Sequence, residues 1–274
     1  MAHARSEMTA RKPSGKWSDF SVRLASAAVL GPIALLCLWQ GGLAWSLFIA
    51  AAIAGMGFEW AKLALLPLKS PGTWLIVVGL LASLALGHSG LIFGFAGLAV
   101  AAGVVGITYG WFPAAGIPYA GIGALSLLWL RLQPGHGLYD TMFLVVVIWS
   151  TDIGAYLVGR LIGGPKLAPK ISPGKTWSGS IGGLLISGLA ATVLAGGRHG
   201  FDFGALPAAF ALSIFAQGGD LLESWIKRKL GVKDSGRTIP GHGGLFDRLD
   251  GFLAAAPVAA ILALSVHGGL PLWG

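Results

Sequence analysis

The chemistry of this chain is concentrated in one segment, residues 224–250, which reads SWIKRKLGVKDSGRTIPGHGGLFDRLD. Acids, bases, glycines and a histidine lie close together there, although only 11% of the residues in the whole chain are charged. Long apolar segments flank it on both sides. A connector between apolar segments does not need this density of charge, and we interpret it as a site for phosphate and metal at the surface of a membrane.

Four polar residues at the start of this region share one face of a predicted helix. Asp220, Glu223, Ser224 and Lys227 follow the spacing i, i+3, i+4 and i+7, which places their side chains on the same helical face. A stripe from carboxylate to lysine at a membrane border suits a Mg²⁺ ion with a bound phosphate. The alternative is an intrahelical salt bridge between Glu223 and Lys227, which leaves Asp220, one turn deeper, unexplained.

A second pair of acids follows the loop, in GHGGLFDRLDG. Asp247 and Asp250 are three residues apart and project together if a helix begins here. Carboxylates suit hard cations that keep several waters and also bind substrate phosphates. Glycines such as Gly243 and Gly244 let backbone N–H groups approach phosphate oxygens, and His242 is better placed for a hydrogen bond to phosphate than for metal ligation. With the basic residues of the loop, these acids indicate metal-dependent phosphoryl or nucleotidyl transfer.

Another basic loop, residues 159–178, has a related composition. Asp152 precedes it as Asp220 precedes the first loop, and ionisable residues at membrane depth are functional by default. Residues that precede proline favour extended backbone here, but the Gly-x-x-x-x-Gly-Lys spacing of a P-loop is absent. The lysines are either a topology signal or phosphate contacts. The candidate contacts are Arg160, Lys166, Lys170, Ser172, Lys175, Thr176 and Ser178.

One acid in the first half of the chain also attracts attention. Glu59, in GFEWAK, lies near the end of a predicted membrane-spanning segment. Two interpretations stay open: a snorkelling or helix-paired carboxylate, or a residue that lines the site.

The elements that must position these residues are helices in a membrane. Apolar residues make up 55% of the chain, and a span needs about 20 mostly apolar residues. The apolar segments are continuous rather than alternating, which excludes a β-barrel. We therefore predict an all-α, polytopic helical bundle of about nine spans, or eight if one short segment does not cross. The predicted spans are 23–40, 43–61, 73–87, 91–109, 117–130, 139–158, 179–196, 204–226 and 251–267.

The distribution of basic residues predicts the orientation. With the N-terminus in the cytoplasm, 17 of the 19 Lys and Arg residues fall on the cytoplasmic side, and only Arg131 and Arg198 on the other. This is a strong positive-inside bias. It predicts a multi-pass protein of the inner (plasma) membrane with its site at the cytoplasmic face. We attribute the net charge of +8 to topology and to affinity for anionic membrane lipids, not to nucleic-acid binding.

The chain divides into three predicted parts. Residues 1–22 form a basic cytoplasmic segment without the features of a cleavable signal. Residues 23–138 hold N-terminal spans with little chemistry, and residues 139–274 form a C-terminal catalytic region with cytoplasmic loops 159–178 and 227–250. Small-residue spacing permits close helix packing, either within one chain or in a homodimer.

The two loops together resemble the phosphatidate cytidylyltransferases, or CDP-diacylglycerol synthases. That family's C-terminal signature has Ser, Lys-Arg, Lys-Asp, a Pro/Gly-x-His-Gly-Gly run and a final Asp-Arg-apolar-Asp. Its elements are present here as Ser224, Lys227-Arg228, Lys233-Asp234, Pro240, His242-Gly243-Gly244 and Asp247-Arg248-Leu249-Asp250. The block from Asp152 to Gly183 is also similar, except that Ser178 stands where many members have an acid. The match covers about residues 150–251.

This resemblance implies an enzyme of phospholipid biosynthesis that transfers CMP from CTP to phosphatidic acid, giving CDP-diacylglycerol and pyrophosphate with Mg²⁺. It leaves open a second, monovalent cation. A phosphate monoester is already an anionic nucleophile, so the protein's task is positioning and charge neutralisation. The implied metal ligands are Asp220, Asp247, Asp250 and, less directly, Asp152. The other implied catalytic residues are Ser224, Lys227, Arg228, Lys233, His242 and Arg248. The implied substrate-binding residues are Lys166, Lys170, Ser172, Lys175, Thr176, Arg237, Gly243 and Gly244.

Two other functions compete with this one. A CTP-dependent enzyme that acts on another phosphorylated lipid would keep the membrane and the metal. An ion-coupled transporter would use Glu59, Asp152 and Asp220 as coupling sites, but transporter sites usually lie near the bilayer midplane between inverted repeats. Here the charge is concentrated at one face.

Overall fold

The computed structural model of the protein describes residues 16–197, 200–236, 238–239, 241 and 243–265, with the backbone alone for residues 16–24 and 27. Nine α-helices make up most of this described part. They are α1 (Lys16–Gln40), α2 (Gly42–Leu63), α3 (Pro71–Gly87), α4 (Leu91–Tyr109), α5 (Trp111–Leu132), α6 (Gly137–Ile162), α7 (Trp177–Gly196), α8 (Leu206–Lys229) and α9 (Phe246–Ser265). A two-stranded antiparallel hairpin, β1 (Lys166–Ala168) and β2 (Ser172–Thr176), lies between α6 and α7.

The outer surface of the helices is suited to lipid. Among the described residues, seven helices are long and apolar enough to cross a membrane, and shorter apolar stretches occur at Ala28–Gln40 and Pro71–Gly87. Large apolar side chains face outwards, such as Val100 and Ile107 of α4, which are 67% and 89% exposed. A protein in water rarely exposes so much contiguous apolar surface. The predicted all-α, polytopic membrane bundle is confirmed.

Most helix boundaries lie within about three residues of the predicted spans, and the larger differences are at α1, α5, α6 and α9. Helix α6 continues to Ile162, beyond the predicted end at 158, and α9 begins at Phe246, before the predicted start at 251. Helix α1 begins at Lys16, before the predicted start at 23, so part of the predicted basic segment is helical. Helix α5 runs from Trp111 to Leu132 and is longer than the predicted 117–130. It begins directly after Gly110, whose φ of +92° permits a sharp turn from α4. Pro113 lies in the first turn of α5, where its missing N–H costs little.

Helices α6 and α7 pack closely because glycines face the contact. A Cβ atom on Gly179 would lie 2.7 Å from the carbonyl oxygen of Ala155, and one on Gly183 would lie 2.7 Å from that of Thr151. This small-xxx-small spacing lets two backbones approach each other. The contact fixes the start of α7 against the part of α6 that carries Asp152.

An aromatic cluster joins the first half of the bundle to the start of α9. The Tyr119 ring of α5 is stacked on Phe246 with their centroids 5.4 Å apart. Trp60 of α2 packs against both rings and donates its indole N–H to the Phe112 carbonyl at 3.1 Å. Because Phe246 directly precedes Asp247, this cluster also holds the beginning of the candidate site.

Candidate active site

Polar residues from three helices and the hairpin meet in a cavity of about 440 Å³ at one end of the bundle. Its walls come from α6, the hairpin, the first turns of α7 and the C-terminal half of α8. The lining residues are Asp152, Ala155, Tyr156, Gly159, Arg160, Leu167, Gly174, Lys175, Thr176, Gly179, Ser180, Gln217 and Asp220. The 159–178 loop and Asp220 of α8 therefore share one cavity, whereas the described residues of 224–250 do not line it.

Three carboxylates on three different helices form the negative centre of this region. Asp152 of α6, Asp220 of α8 and Asp250 of α9 lie near enough to interact electrostatically with one another. Lys175 of β2 forms an ion pair with Oδ2 of Asp220, and the other oxygen of Asp220 accepts a hydrogen bond from the Ser224 hydroxyl at 3.3 Å. The close approach of α8 and α9 at Gly219 brings Asp220 and Asp250 together, since a Cβ there would collide with the Asp250 carbonyl oxygen.

This donor set fits a hard divalent cation. Within the described part of the chain, no three carboxylate, imidazole or thiol groups converge closely enough to hold a metal ion by themselves. Mg²⁺ does not need such a cage, because it usually binds one or two carboxylates and completes its octahedron with waters and substrate phosphates. Asp220 and Asp250, with Asp152 close to both, offer the oxygen ligands for such an ion, and their mutual repulsion favours a cation between them.

A second polar cluster, more buried than the first, surrounds Lys227 in the last turn of α8. Its ammonium lies 2.5 Å from Oε2 of Glu223 and 2.6 Å from Oδ1 of Asp247. The intrahelical salt bridge between Glu223 and Lys227 is therefore present, and the predicted common face of α8 is confirmed by it and by the bond from Ser224 to Asp220. Lys227 is only 9% exposed. Its charge is neutralised by the protein's own carboxylates, so it fixes α8 to α9.

Asp247 and Asp250 have different hydrogen-bond partners, although α9 begins at Phe246 and so includes both residues in its first turns. Oδ2 of Asp247 accepts hydrogen bonds from the N–H of Gly244 at 2.8 Å and from the N–H of Ser235 at 3.0 Å. The N–H of Gly244, predicted to contact phosphate, thus has a partner within the chain. The φ of Gly243 is +88°, a backbone conformation that favours glycine, and its carbonyl accepts a hydrogen bond from the N–H of Ile239.

The two basic loops are also joined to each other. The Arg228 guanidinium donates to the carbonyl oxygen of Ile171 in the hairpin turn at 3.3 Å, and to that of Val232 in the loop after α8 at 3.1 Å. The remaining predicted cations that the structure describes are exposed at this end of the protein; these are Lys166, Lys170, Lys233 and Arg248. Two predicted site residues, Arg237 and His242, lie outside the described residues.

The hydroxyls of the hairpin have structural partners. Thr176 is the N-cap of α7, where its side chain accepts the N–H of Gly179 at 3.1 Å, a stabilising arrangement. Ser178, which stands where many family members have an acid, donates to the carbonyl of Gly163 and lies 3.1 Å from the Thr176 hydroxyl. Ser172 lies in β2, opposite Ala168.

Two residues that line the cavity, Gln217 and Ser180, are not among those that the sequence indicated. The carboxamide oxygen of Gln217 accepts the Ser180 hydroxyl at 2.5 Å, and its NH₂ group lies 3.3 Å from the Ser180 carbonyl. The same NH₂ group reaches the Ser213 hydroxyl at 3.4 Å, which accepts a hydrogen bond from Thr151. An amide within an apolar span is costly and is a signal of function, so Gln217 could have been selected from the sequence on that ground.

Comparison with known proteins identifies the family of this chain. The profile of the cytidylyltransferase family matches residues 21–266. A phosphatidate cytidylyltransferase of Brucella suis biovar 1 (strain 1330) is 44% identical over 256 residues, which cover 87% of this chain and 91% of that protein. One from Haemophilus influenzae (strain KW20 / Rd) is 44% identical over 151 residues, covering 52% of this chain and 51% of that protein. These matches confirm the resemblance and do not support a transporter. The chain belongs to the cytidylyltransferase family.

Proposed function

We propose that the protein transfers CMP from CTP to phosphatidic acid, giving CDP-diacylglycerol and pyrophosphate for phospholipid synthesis. The observation that carries the proposal is the cluster of Asp152, Asp220 and Asp250 with Lys175 at a cavity of about 440 Å³. It occurs in a chain that is 44% identical over 87% of its length to a protein named phosphatidate cytidylyltransferase. Anionic phosphates and a divalent cation are the ligands that this combination of acids and bases suits.

The reaction is a direct displacement at phosphorus. An oxygen of the phosphatidate monoester attacks the α-phosphorus of CTP, a new P–O bond forms, and the bond from the α-phosphorus to the bridging oxygen breaks. The electron pair leaves with pyrophosphate. Because the attacking group is already anionic, no serine or cysteine nucleophile is required, and the rate depends on orientation and on neutralising charge.

The residues of the cavity divide this work between them. Asp220 and Asp250, supported by Asp152, would hold Mg²⁺, which when bound supplies charge neutralisation to the triphosphate. Lys175, which pairs with Asp220, would offer its ammonium to a phosphate oxygen of the substrate. Arg160, at the rim of the cavity, is held by the Tyr156 hydroxyl, to which it donates at 2.7 Å, and offers a further guanidinium to an anionic headgroup.

The placement of the cavity suits one lipid and one water-soluble substrate. Its wall at α6 continues into exposed apolar side chains, since Ile153 and Leu157 are 58% and 47% exposed. Acyl chains can lie along this surface while the phosphate stays at the polar end. The positive-inside bias supports an inner membrane location with this end in the cytoplasm, where CTP is present.

The test is pyrophosphate release by purified, detergent-solubilised protein supplied with CTP, Mg²⁺ and phosphatidic acid, each omitted in turn. We expect release only when all three are present, with CDP-diacylglycerol as the lipid product. Release with a different phosphorylated lipid, but not with phosphatidic acid, would keep the chemistry and change the substrate. Absence of release with every lipid phosphate would overturn the proposal.

A further inference from the structure

The least expected feature of the site is a carboxylate from the first half of the chain. Glu59 of α2 is only 4% exposed and lies under the loop that connects α8 to α9. It does not line the cavity and is not one of the implied metal ligands. Within the described part of the chain, its side-chain hydrogen bonds are nonetheless with residues more than 170 positions away, in the segment that carries Asp247.

Glu59 accepts hydrogen bonds from both ends of this connecting loop. At the end of the loop, the N–H groups of Leu245 and Phe246 donate to its two oxygens at 2.8 and 3.1 Å. Earlier in the loop, the Thr238 hydroxyl donates to Oε1, and the Ser235 hydroxyl lies 3.2 Å from Oε2. One side chain thus ties together the two sides of the loop and the beginning of α9.

The helix geometry explains why a carboxylate stands there. The first N–H groups of a helix have no partner within the helix, and the positive end of the helix dipole favours a negative charge. Leu245 and Phe246 are at that end of α9, and Glu59 supplies both the acceptors and the charge. It therefore does, from another helix, what a capping side chain usually does from the same chain segment.

Two glycines show how closely the loop packs on this carboxylate. A Cβ atom on Gly236 would lie 2.8 Å from Cδ of Glu59, and one on Gly244 would lie 2.6 Å from Oε2. These distances are too short for any side chain. The loop is thus built against Glu59 from both sides, and the carboxylate is part of the loop's structure.

The connection from Glu59 to the reacting groups runs through Ser235. The Ser235 hydroxyl lies 3.2 Å from Glu59 and 3.1 Å from Oδ2 of Asp247, and its N–H donates to the same Asp247 oxygen at 3.0 Å. Asp247 in turn holds Lys227 at 2.6 Å. The position of α9, and with it that of Asp250 one turn later, depends on this arrangement.

We propose that Glu59 is a positioning residue for the transfer reaction, acting through the connecting loop and the first turn of α9 on Asp247 and Asp250. The expected effect of Glu59 on turnover rests on the proposed function, whereas its expected effect on the structure of the loop does not. Neither of the two interpretations that the sequence left open describes Glu59 fully. It is too buried to snorkel, and it bonds to the connecting loop and the start of α9 rather than lining the cavity.

The experiment compares Glu59→Gln and Glu59→Asp with the wild-type protein and with Ile76→Val. Gln keeps the size of the side chain but replaces one acceptor oxygen with an NH₂ group that faces donors. Asp keeps the charge on a shorter side chain and should recover part of the function. Ile76, fully buried in α3, provides a core change that lowers stability without touching the loop.

We expect Glu59→Gln to lower kcat about 10- to 100-fold, as small misplacements of reacting groups do, with a smaller change in the KM for CTP. Glu59→Asp should fall between Gln and wild type. Ile76→Val should keep kcat per folded molecule. The proposal is wrong if Glu59→Gln keeps the wild-type kcat per folded molecule. It is also wrong if Glu59→Gln and Ile76→Val have equal thermal stability and Glu59→Gln loses no more kcat than Ile76→Val.

Hydrogen exchange at the amides of Leu245 and Phe246 gives a readout independent of substrate. Exchange at both should be faster in Glu59→Gln than in wild type and unchanged in Ile76→Val. If wild-type protein itself does not act on CTP and phosphatidic acid, the proposed function fails, while this exchange result still tests the role of Glu59 in the loop. If Glu59→Gln does not fold, Thr238→Val removes one of the four donors, and unchanged exchange and turnover in that variant would overturn the proposal.

Discussion

The acids of this site differ in what they hold, and so their substitutions should differ in effect. Asp220 pairs with Lys175, and the two side chains are 36% and 26% exposed, so that the pair should contribute about 1 kcal/mol or less to stability. We predict that Asp220→Asn lowers kcat by at least about 100-fold, because charge stabilisation in the transition state is lost. The midpoint of thermal unfolding in detergent should change little.

Asp202→Asn is the matched control for this change, since it is the same acid-to-amide substitution at the opposite end of the bundle. Asp202 caps a short 3₁₀ turn through the N–H of Gly204 at 2.8 Å, a bond that Asn can also accept. The Asp202→Asn variant should have the activity of wild type. Wild-type turnover in Asp220→Asn would show that the Asp220 carboxylate is not needed for the reaction.

Asp247 should behave differently because it is also a structural partner. It is the acceptor for Lys227 and for the N–H groups of Ser235 and Gly244, and its Oδ2 also lies 3.1 Å from the Ser235 hydroxyl, which is shared with Glu59. We predict that Asp247→Asn lowers both kcat and stability. The loss of stability should be about 2 kcal/mol, below the 3–5 kcal/mol typical of a broken buried pair, because Glu223 stays beside Lys227. Unfolding midpoints and kcat for Asp247→Asn and Asp220→Asn, measured together, test this; equal stability in the two variants would contradict it.

At the scale of residues, the sequence predicted contacts within one helix and missed those between distant segments. The bonds from Ser224 to Asp220 and from Lys227 to Glu223 follow from helical spacing alone. The bond from Lys227 to Asp247 crosses a loop, and those of Glu59 join the two halves of the chain. Such contacts depend on how the helices pack, which no local pattern specifies.

The packing of α8 against α9 sets the distance between the acids on these elements. Gly218 and Gly219 are adjacent in α8, but only Gly219 faces α9: a Cβ there would lie 2.7 Å from that of Ala254 and would collide with the Asp250 carbonyl, whereas a Cβ on Gly218 meets nothing within 4 Å. We predict that Gly219→Ala lowers kcat about 10- to 100-fold by moving Asp250 away from Asp220.

Gly218→Ala is the control for this prediction. Ala is favoured over Gly in a helix by about 1 kcal/mol, and both substitutions gain this stabilisation. Only Gly219→Ala also introduces a steric clash with α9. Gly218→Ala should keep wild-type turnover and unfold at the same or a higher temperature. If the two variants have equal kcat, the close approach of α8 and α9 does not set the geometry of the acids.

At the scale of elements, continuous apolar runs predicted the helices well. They gave no indication of the hairpin. The prolines of the 159–178 loop correctly indicated extended backbone, but the register that places Lys166 opposite Thr176 depends on contacts with α7 and α8. The early start of α5 depends on Gly110 and on a proline in the first turn, where a hydropathy window shows only a weak apolar signal.

For the whole molecule, the distribution of charge predicts which end faces the cytoplasm. The cavity, the hairpin and the connecting loop lie at one end of the bundle, together with most of the basic residues, while Arg131 at the other end donates to the carbonyl oxygens of Leu38 and Trp39. The positive-inside rule therefore predicts that the hairpin is cytoplasmic and that the turn between α5 and α6 is on the opposite side.

Cysteine labelling tests this orientation because the chain has a single cysteine, Cys37, which can be replaced by Ser. In that background, Lys170→Cys in the exposed hairpin turn and His136→Cys in the exposed turn before α6 place one thiol at each end. A membrane-impermeant maleimide should label His136→Cys in cells with a permeabilised outer envelope, and Lys170→Cys only in inverted vesicles. The reverse pattern would place the cavity on the side away from CTP. Since the nucleotide cannot cross the bilayer, that result would contradict the proposed reaction together with the orientation.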